Sequence, residues 1–223
     1  MTIESFTPIV NENSGTVVMG GTFDPIHHGH LRSAVDILDF FRFKSLRMVP
    51  CFQPVHKDQP SVTPEQRLQM VELGIQADIR LEVDPREILR EGPSYTKDTL
   101  QELRNELGEE EPIIMVVGMD SFLSLPTWAE WQSLLDVAHI LVISRPGWEP
   151  DFISTLEEFY EKHRAQNVAE LQCAPAGKIW MESFTPLAIS SSQVRKLCRE
   201  NASIAYLVPE TIQRFIEAHS LYK

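Results

Sequence analysis

The sequence predicts an α/β protein with a doubly wound, mainly parallel sheet and helices on both faces. Short apolar runs alternate with amphipathic helical patterns along almost the whole chain, which favours parallel strands joined by helices. Several of the apolar runs end in glycine or proline, as strands do where the chain turns. The chain has 223 residues, 43% of them hydrophobic, which is enough for one such domain with a real core.

The strand predictions rest on short apolar runs. The first run covers residues 16–19 and ends at Gly20-Gly21, which indicates a buried strand entering a tight turn. Residues 112–117 (PIIMVV) form the clearest buried strand. The remaining strands are predicted over residues 45–50, 79–83, 139–144 and 179–181.

The helix predictions rest on apolar residues at helical spacing and on capping residues. One face of the segment from His30 onward is apolar, and a proline at position 64 suits the first turn of another helix. Thr96 is expected to cap a helix that ends at Gly108. Further helices are predicted over residues 128–135, 151–164, 192–200 and 209–220, and a proline-containing loop over residues 54–64.

The composition argues against several classes of protein. The formal net charge is −12, which disfavours a general nucleic-acid binder, although a helix N-terminus and a few cations can still bind a small anion. Cys51, Cys173 and Cys198 are few, odd in number and without CxxC spacing, so we expect neither disulfides nor a zinc site, and a reducing cytoplasm fits. No apolar run approaches the length of a membrane span.

The domain organisation is predicted to be simple. Residues 1–14 are polar and acidic, without the pattern of a secretory signal, and we expect them to form a short N-terminal tail. Residues 15–223 are expected to form a single domain, with a helical C-terminal part at about 185–223. Ligands of parallel sheets bind beyond the carboxyl ends of the strands. The segments at 20–21, 50 onward, 118–120 and 145–147 follow predicted strands and should therefore lie along one edge.

Residues 20–30 (GGTFDPIHHGH) have the chemistry of a phosphate cradle. The glycines let the backbone approach an anion, and the helix start offers free N–H groups. His27 and His30 offer donors that can follow charge onto a leaving phosphate. The segment is neither a GxxxxGK[ST] loop nor a GxGxxG fingerprint. On their own, two histidines and a glycine would more often only build the start of a helix.

Residues 189–195 (ISSSQVR) repeat this chemistry near the other end of the chain. Consecutive hydroxyls before an amphipathic helix suit helix capping and phosphate binding, and Arg195 lies one turn in, with a fixed fork of donors. Taken alone, the segment would be read as an ordinary serine cap with a solvated arginine.

Together these two segments resemble the (H/T)xGH and ISSTxxR signatures of the nucleotidyltransferase superfamily, with Ser192 where threonine is common. The resemblance implies that His27, His30 and Arg195 are catalytic and that ATP is bound by both segments. The implied ATP-binding residues are Gly20, Gly21, Thr22, Phe23, His27, Gly29, His30, Ile189, Ser190, Ser191, Ser192 and Arg195.

Further segments resemble the bacterial nicotinate-nucleotide adenylyltransferase branch of that superfamily. They are a PPHK-like loop at 54–57, with Val55 in place of a proline, GPSYTKDTL at 92–100, GMD followed by LPTW at 118–128, and RPG at 145–147. The resemblance implies a Rossmann-like sheet. It also implies a mononucleotide site with a phosphate contact at Lys57, a pyridine carboxylate held near Thr96, ribose hydroxyls on Asp120 and a pyridine ring stacked on Trp128. The implied substrate-binding residues are Lys57, Tyr95, Thr96, Lys97, Asp120, Trp128 and Arg145.

The activity implied by this resemblance is transfer of AMP from ATP to nicotinate mononucleotide, giving nicotinate adenine dinucleotide and pyrophosphate in NAD biosynthesis. Mg²⁺ is expected on the ATP phosphates rather than in a protein cage. Among other members of the superfamily, a pantetheine-phosphate adenylyltransferase or a cytidylyltransferase is disfavoured by the PSYT segment at 93–96 and the LPTW segment at 125–128. Nicotinamide mononucleotide is a closer alternative acceptor and remains open, because a carboxamide differs from a carboxylate by one charge and two donors. A catalytically silent nucleotide sensor is the alternative from another class.

Overall fold

The structure, a computed structural model, describes residues 15–55, 59–144, 152–184 and 187–223. Within these ranges six parallel strands form the main sheet in the order β4-β2-β1-β6-β7-β8, and β3 pairs with β5 in a separate two-stranded ladder. The strands are β1 (Thr16–Gly21), β2 (Leu46–Pro50), β3 (Gln53–Pro54), β4 (Leu81–Val83), β5 (Pro93–Ser94), β6 (Ile113–Gly118), β7 (His139–Ser144) and β8 (Ile179–Ser183).

The order of the main sheet reverses next to β1. Numbered among themselves, its six strands run 3-2-1-4-5-6, which is the doubly wound order of dinucleotide-binding folds. β1 pairs in parallel with β2 on one side and with β6 on the other. The chain leaves these strands in opposite directions, so a crevice opens beyond their carboxyl ends, where Gly21 and Gly118 lie.

Helices cover both faces of the sheet. Those of the described residues are α1 (His28–Phe41), α2 (Pro64–Gly74), α3 (Arg86–Arg90), α4 (Thr96–Leu107), α5 (Met119–Leu123), α6 (Ser154–His163), α7 (Glu170–Cys173), α8 (Ser191–Arg199) and α9 (Glu210–Ala218). Side chains alternate across a strand, so Val17 and Met19 of β1 enter the core beneath α1, α2, α8 and α9, while Val18 enters the core beneath α4, α5 and α6. The predicted fold class is confirmed.

Two helix predictions differ from the structure, one in its cap and one over its whole length. Tyr95 is extended and holds the cap position of α4, so Thr96 is the first helical residue and not the cap. Residues 128–135 do not form one helix. A 3₁₀ turn at Leu125–Thr127 ends at Trp128, whose backbone is extended. A second 3₁₀ helix, Trp131–Asp136, begins after Glu130, and the left-handed backbone of Glu130 (φ 50°) separates it from the first turn.

Several short elements carry too little pattern to be predicted. α3 and α7 have five and four residues, and the β3–β5 ladder has two residues on each strand. The boundaries of other elements shift by a few residues. α1 begins at His28 rather than His30, β4 begins at Leu81 rather than at residue 79, and α6 begins at Ser154 rather than at residue 151. The predicted tail, residues 1–14, lies outside the described residues.

Candidate active site

Two adjoining cavities open at the crevice between β1 and β6. The large cavity has a volume of about 710 Å³ and the small cavity about 160 Å³. They share Gly20, Gly21 and Thr22 at the end of β1, and Trp128 also lines both of them. A Cβ at Gly20 would meet no atom within 4 Å, because this backbone faces open space. The shared wall is therefore a place where two ligands can come into contact over bare backbone.

A stacked pair of histidines stands at the start of α1, beside the large cavity. His27 is the N-cap, and its Nδ1 accepts a hydrogen bond from the backbone N–H of His30 at 3.3 Å. The two imidazole rings stack with centroids 3.7 Å apart, and the edge of the Phe23 ring packs against His30. Of the two histidines, His30 lines the large cavity, while His27 is 4% exposed beneath it.

The environment of His27 decides its charge. Burial lowers its pKa from 6.5 to about 4; a backbone hydrogen bond opposes this shift and the neighbouring His28 adds to it. His27 is therefore neutral near pH 7, with Nδ1 as an acceptor. It orients His30 and the first turn of α1 rather than adding a positive charge of its own.

Gly29 lets the start of α8 approach the start of α1. A Cβ at this position would stand 2.9 Å from Nδ1 of His27 and 3.3 Å from the carbonyl oxygen of Ile189. Any side chain would therefore displace either the histidine stack or the chain that enters α8. The glycine joins the two sequence segments, which lie about 160 residues apart, into one site.

The segment before α8 places its hydroxyls in different roles. Ser190 is the N-cap and accepts from the N–H of Gln193, while the Ser191 hydroxyl donates to the carbonyl of Pro25 at 2.9 Å. Arg195 donates from Nη2 to Ser192 Oγ at 3.2 Å and from Nη1 to the carbonyl oxygen of Asp24 at 2.7 Å. Ser191, Ser192 and Arg195 line the large cavity.

The predicted ATP-binding residues therefore separate into two groups. Those lining the large cavity are Gly20, Gly21, Thr22, Phe23, Gly29, His30, Ser191, Ser192 and Arg195. His27, Ile189 and Ser190 support them from behind through the contacts just described.

The small cavity lies at the N-terminus of α4. Tyr95 and Thr96 line it, together with Glu87 and Thr99. The Thr99 hydroxyl donates to the Glu87 carboxylate at 2.6 Å, and the N–H of Phe52 donates to Ser94 Oγ at 2.9 Å. Burial raises the pKa of Glu87, and the hydrogen bonds from its neighbours oppose that shift. The cavity therefore combines a helix N-terminus with an apolar wall that includes Leu100 and Trp128.

The remaining predicted substrate residues are more dispersed. Trp128 lines both cavities, and Asp120 lines the large one. Lys97 forms an ion pair with Glu130. It is not among the described residues that line the large or the small cavity. Lys57 and Arg145 lie outside the described residues.

Arg67 is a supporting residue that the sequence pattern did not reveal. It is fully buried (0% exposed), and its guanidinium donates to the carbonyls of Thr22 at 2.9 Å, Cys51 at 2.5 Å and Phe52 at 2.7 Å. These bonds tie the loop after β1 to the loop after β2. An arginine in the first turn of an amphipathic helix is usually solvated, so no local signal pointed to this role.

Metal ligands and membrane segments can be assessed only over the described part of the chain. There, no three His, Cys, Asp or Glu side chains come together in a way that could hold a metal ion. Over the same residues, no helix has the length and apolarity needed to cross a membrane.

Comparison with known proteins identifies close relatives. A family model described as cytidylyltransferase-like matches residues 18–197. The chain is 61% identical over 210 residues to a probable nicotinate-nucleotide adenylyltransferase of Marinomonas sp. (strain MWYL1), covering 94% of this chain and 95% of that one. A protein of the same description from Hahella chejuensis is 41% identical over 214 residues, covering 96% and 98% of the two chains.

A solved structure supports the fold independently. The Plasmodium falciparum nicotinic acid mononucleotide adenylyltransferase complexed with NaAD superposes with a TM-score of 0.70 at 17% identity, covering 94% of this chain and 98% of that one. At that identity the likeness establishes the fold.

Proposed function

This chain belongs to the nicotinate-nucleotide adenylyltransferase family, and from that premise we propose that it transfers AMP from ATP to nicotinate mononucleotide. The products are nicotinate adenine dinucleotide and pyrophosphate, a step of NAD biosynthesis. The observation that carries the proposal is the pair of cavities that meet over Gly20, Gly21 and Thr22. The large cavity is assigned to ATP and the small one to the nicotinate end of the mononucleotide.

The lining of the large cavity suits a triphosphate. His30 and Arg195 offer side-chain donors, Ser192 offers a hydroxyl, and the N-termini of α1 and α8 offer amide N–H groups. These donors converge from two elements that Gly29 holds together. In the proposed role, His30 and Arg195 stabilise the charge that moves onto the departing pyrophosphate.

The lining of the small cavity suits a flat ring that carries a carboxylate. The free amides at the start of α4 favour an anion, and Thr96 adds a hydroxyl at the same place. Trp128 offers an indole face on which a pyridine ring can stack. Tyr95 also lines this cavity. The proposed roles of Asp120 on ribose, of Lys57 on phosphate and of Arg145 on phosphate or in local structure rest on the family resemblance, as does the place of Lys97 among the substrate-binding residues.

The chemistry needs no covalent intermediate. A phosphate oxygen of the mononucleotide is ionised at neutral pH and can attack the α-phosphorus of ATP in line, so no general base is required. The contribution of the protein is to position the two phosphates and to stabilise charge. Cys51 is no candidate nucleophile, because burial raises the pKa of its thiol.

Mg²⁺ is part of the proposal as a companion of ATP. It would lower the negative charge of the phosphates and favour departure of pyrophosphate. An ion bound mainly by phosphates and water would need no cluster of protein ligands. A cytoplasmic location and a single domain over residues 15–223 complete the proposal.

Product identification tests this function. The protein is incubated with ATP, MgCl₂ and nicotinate mononucleotide, and pyrophosphate and the dinucleotide are measured separately. The expected result is equal amounts of the two products. His30→Ala should lower the rate by roughly 100- to 1000-fold, the usual effect of removing one transition-state donor, while His219→Ala, at an exposed histidine, should not. ATP binding without any product would favour the nucleotide sensor, and near-normal turnover of His30→Ala would refute the assigned role.

A further inference from the structure

Asp24 is a buried carboxylate at the wall of the proposed ATP site. It is 4% exposed and lines the large cavity. Its Oδ2 accepts from the backbone N–H of Ser61 at 2.9 Å and lies 3.7 Å from Nη1 of Arg195. The same guanidinium nitrogen donates to the carbonyl oxygen of Asp24 at 2.7 Å. Asp24 therefore contacts both Arg195, which lines the cavity, and the backbone of Ser61, which precedes α2.

The second oxygen of this carboxylate is held by the C-terminus of the chain. The hydroxyl of Tyr222 donates to Oδ1 of Asp24 at 2.8 Å, although the two residues are 198 positions apart. Tyr222 is 7% exposed, and its ring packs in the core beneath α1 and α9. Burial, and then the charge of Asp24, raise the pKa of Tyr222, so the hydroxyl keeps its proton and remains a donor.

We propose that Tyr222 is a positioning residue for adenylyl transfer, acting on Arg195 through Asp24. Tyr222 donates to Oδ1 of Asp24 and Ser61 donates to Oδ2, so the carboxylate has a fixed orientation. The guanidinium of Arg195 then makes its hydrogen bond to Asp24 through the backbone carbonyl oxygen and not through the carboxylate. Without the tyrosine hydroxyl, a buried carboxylate oxygen has lost its donor. It would turn toward Arg195 and compete with the ATP phosphates for the guanidinium.

This proposal rests on the proposed function, and its test separates the two. Tyr222→Phe keeps the packed ring and removes only the hydroxyl. Tyr206→Phe is a matched control, because Tyr206 is 92% exposed and, like Tyr222, has a left-handed backbone (φ 66° and 61°). For each protein, kcat and KM for ATP are measured by pyrophosphate release. The stabilisation given by a non-hydrolysable ATP analogue is measured separately by thermal unfolding.

The expected result is a fall of about tenfold in kcat/KM for ATP in Tyr222→Phe, the effect of losing one hydrogen bond to a charged group. The analogue should stabilise this variant less than the wild type, and Tyr206→Phe should match the wild type in both measurements. In the background of Asp24→Asn, which lacks the charge, Tyr222→Phe should have a smaller effect, as two residues acting in series require.

Unchanged kcat/KM in Tyr222→Phe, even with a lower melting temperature, would overturn the proposal and leave Tyr222 a purely structural residue. Equal losses in the wild-type and Asp24→Asn backgrounds would overturn the route through Asp24. If the wild type releases no pyrophosphate, the proposed function has failed, and the analogue measurement still decides whether Tyr222 shapes a nucleotide site. If the wild type releases no pyrophosphate and the analogue does not stabilise it either, both the proposed function and the role of Tyr222 are overturned.

Discussion

Replacing His27 by asparagine should make the stability of the protein less dependent on pH. His27 caps α1 through Nδ1 and lies buried beneath His30. Asparagine is among the best N-cap residues and carries an oxygen that can accept the same backbone hydrogen bond. The substitution therefore removes a titrating group and keeps the cap.

The size of the effect follows from the pKa of His27, which is about 4 in the folded protein against 6.5 for a solvated histidine. Between these values the unfolded chain binds more protons, so stability rises with pH across this window and is lost as the pH falls through it. The full difference corresponds to about 3 kcal/mol, of which about 2 kcal/mol is already lost at about pH 5.

Urea unfolding at about pH 7 and about pH 5 measures this difference directly. Other titrating groups contribute equally to both proteins, so the wild type should lose about 2 kcal/mol more than His27→Asn between the two conditions. His219→Asn, at an exposed histidine, serves as the control and should behave like the wild type. An equal loss in the wild type and His27→Asn would refute the assignment of a buried, neutral His27.

Three further substitutions test individual contacts. Gly29→Ala should lower the melting temperature and kcat together, because the new methyl group would stand 2.9 Å from the His27 ring; a variant as stable and active as the wild type would contradict this packing. Arg67→Met should lower the free energy of unfolding, measured by urea denaturation, by about 3 kcal/mol, since it leaves three carbonyls without their donor. A change near zero would contradict the role of Arg67 in joining the loops after β1 and β2. Trp128→Leu should raise KM for the mononucleotide about tenfold, and more than KM for ATP; equal effects would contradict stacking on the pyridine ring.

The strands and the phosphate cradle could be predicted because their signals are local. A buried parallel strand is a short apolar run in the sequence. The glycines and histidines of residues 20–30, followed by a helical pattern, indicate the loop that forms the phosphate cradle. The glycines at the ends of β1 and β6 lie along one edge of the sheet, where Gly20, Gly21 and Gly118 line the large cavity. The start of α1 was predicted two residues late because His27, not a serine or threonine, is the cap.

The unpredicted features depend on contacts between distant segments. Nothing near Arg67 in the sequence indicates that three carbonyls from other loops surround it, and nothing near Tyr222 points to Asp24. Trp128 does not begin a helix. It follows the 3₁₀ turn at Leu125–Thr127, and the left-handed Glu130 separates it from the 3₁₀ helix at Trp131–Asp136. Periodicity within a segment carries no information of this kind.

The most direct test of the two-cavity site is the initial rate of pyrophosphate release with ATP and Mg²⁺, measured in parallel with nicotinate and nicotinamide mononucleotide. The start of α4 favours a carboxylate over a neutral carboxamide. We predict release with both nucleotides and a kcat/KM at least about tenfold higher for the nicotinate form, the ratio that about 1.4 kcal/mol of preference would give. Equal rates would contradict the assignment of the small cavity, and no release with either substrate would contradict the proposed function itself.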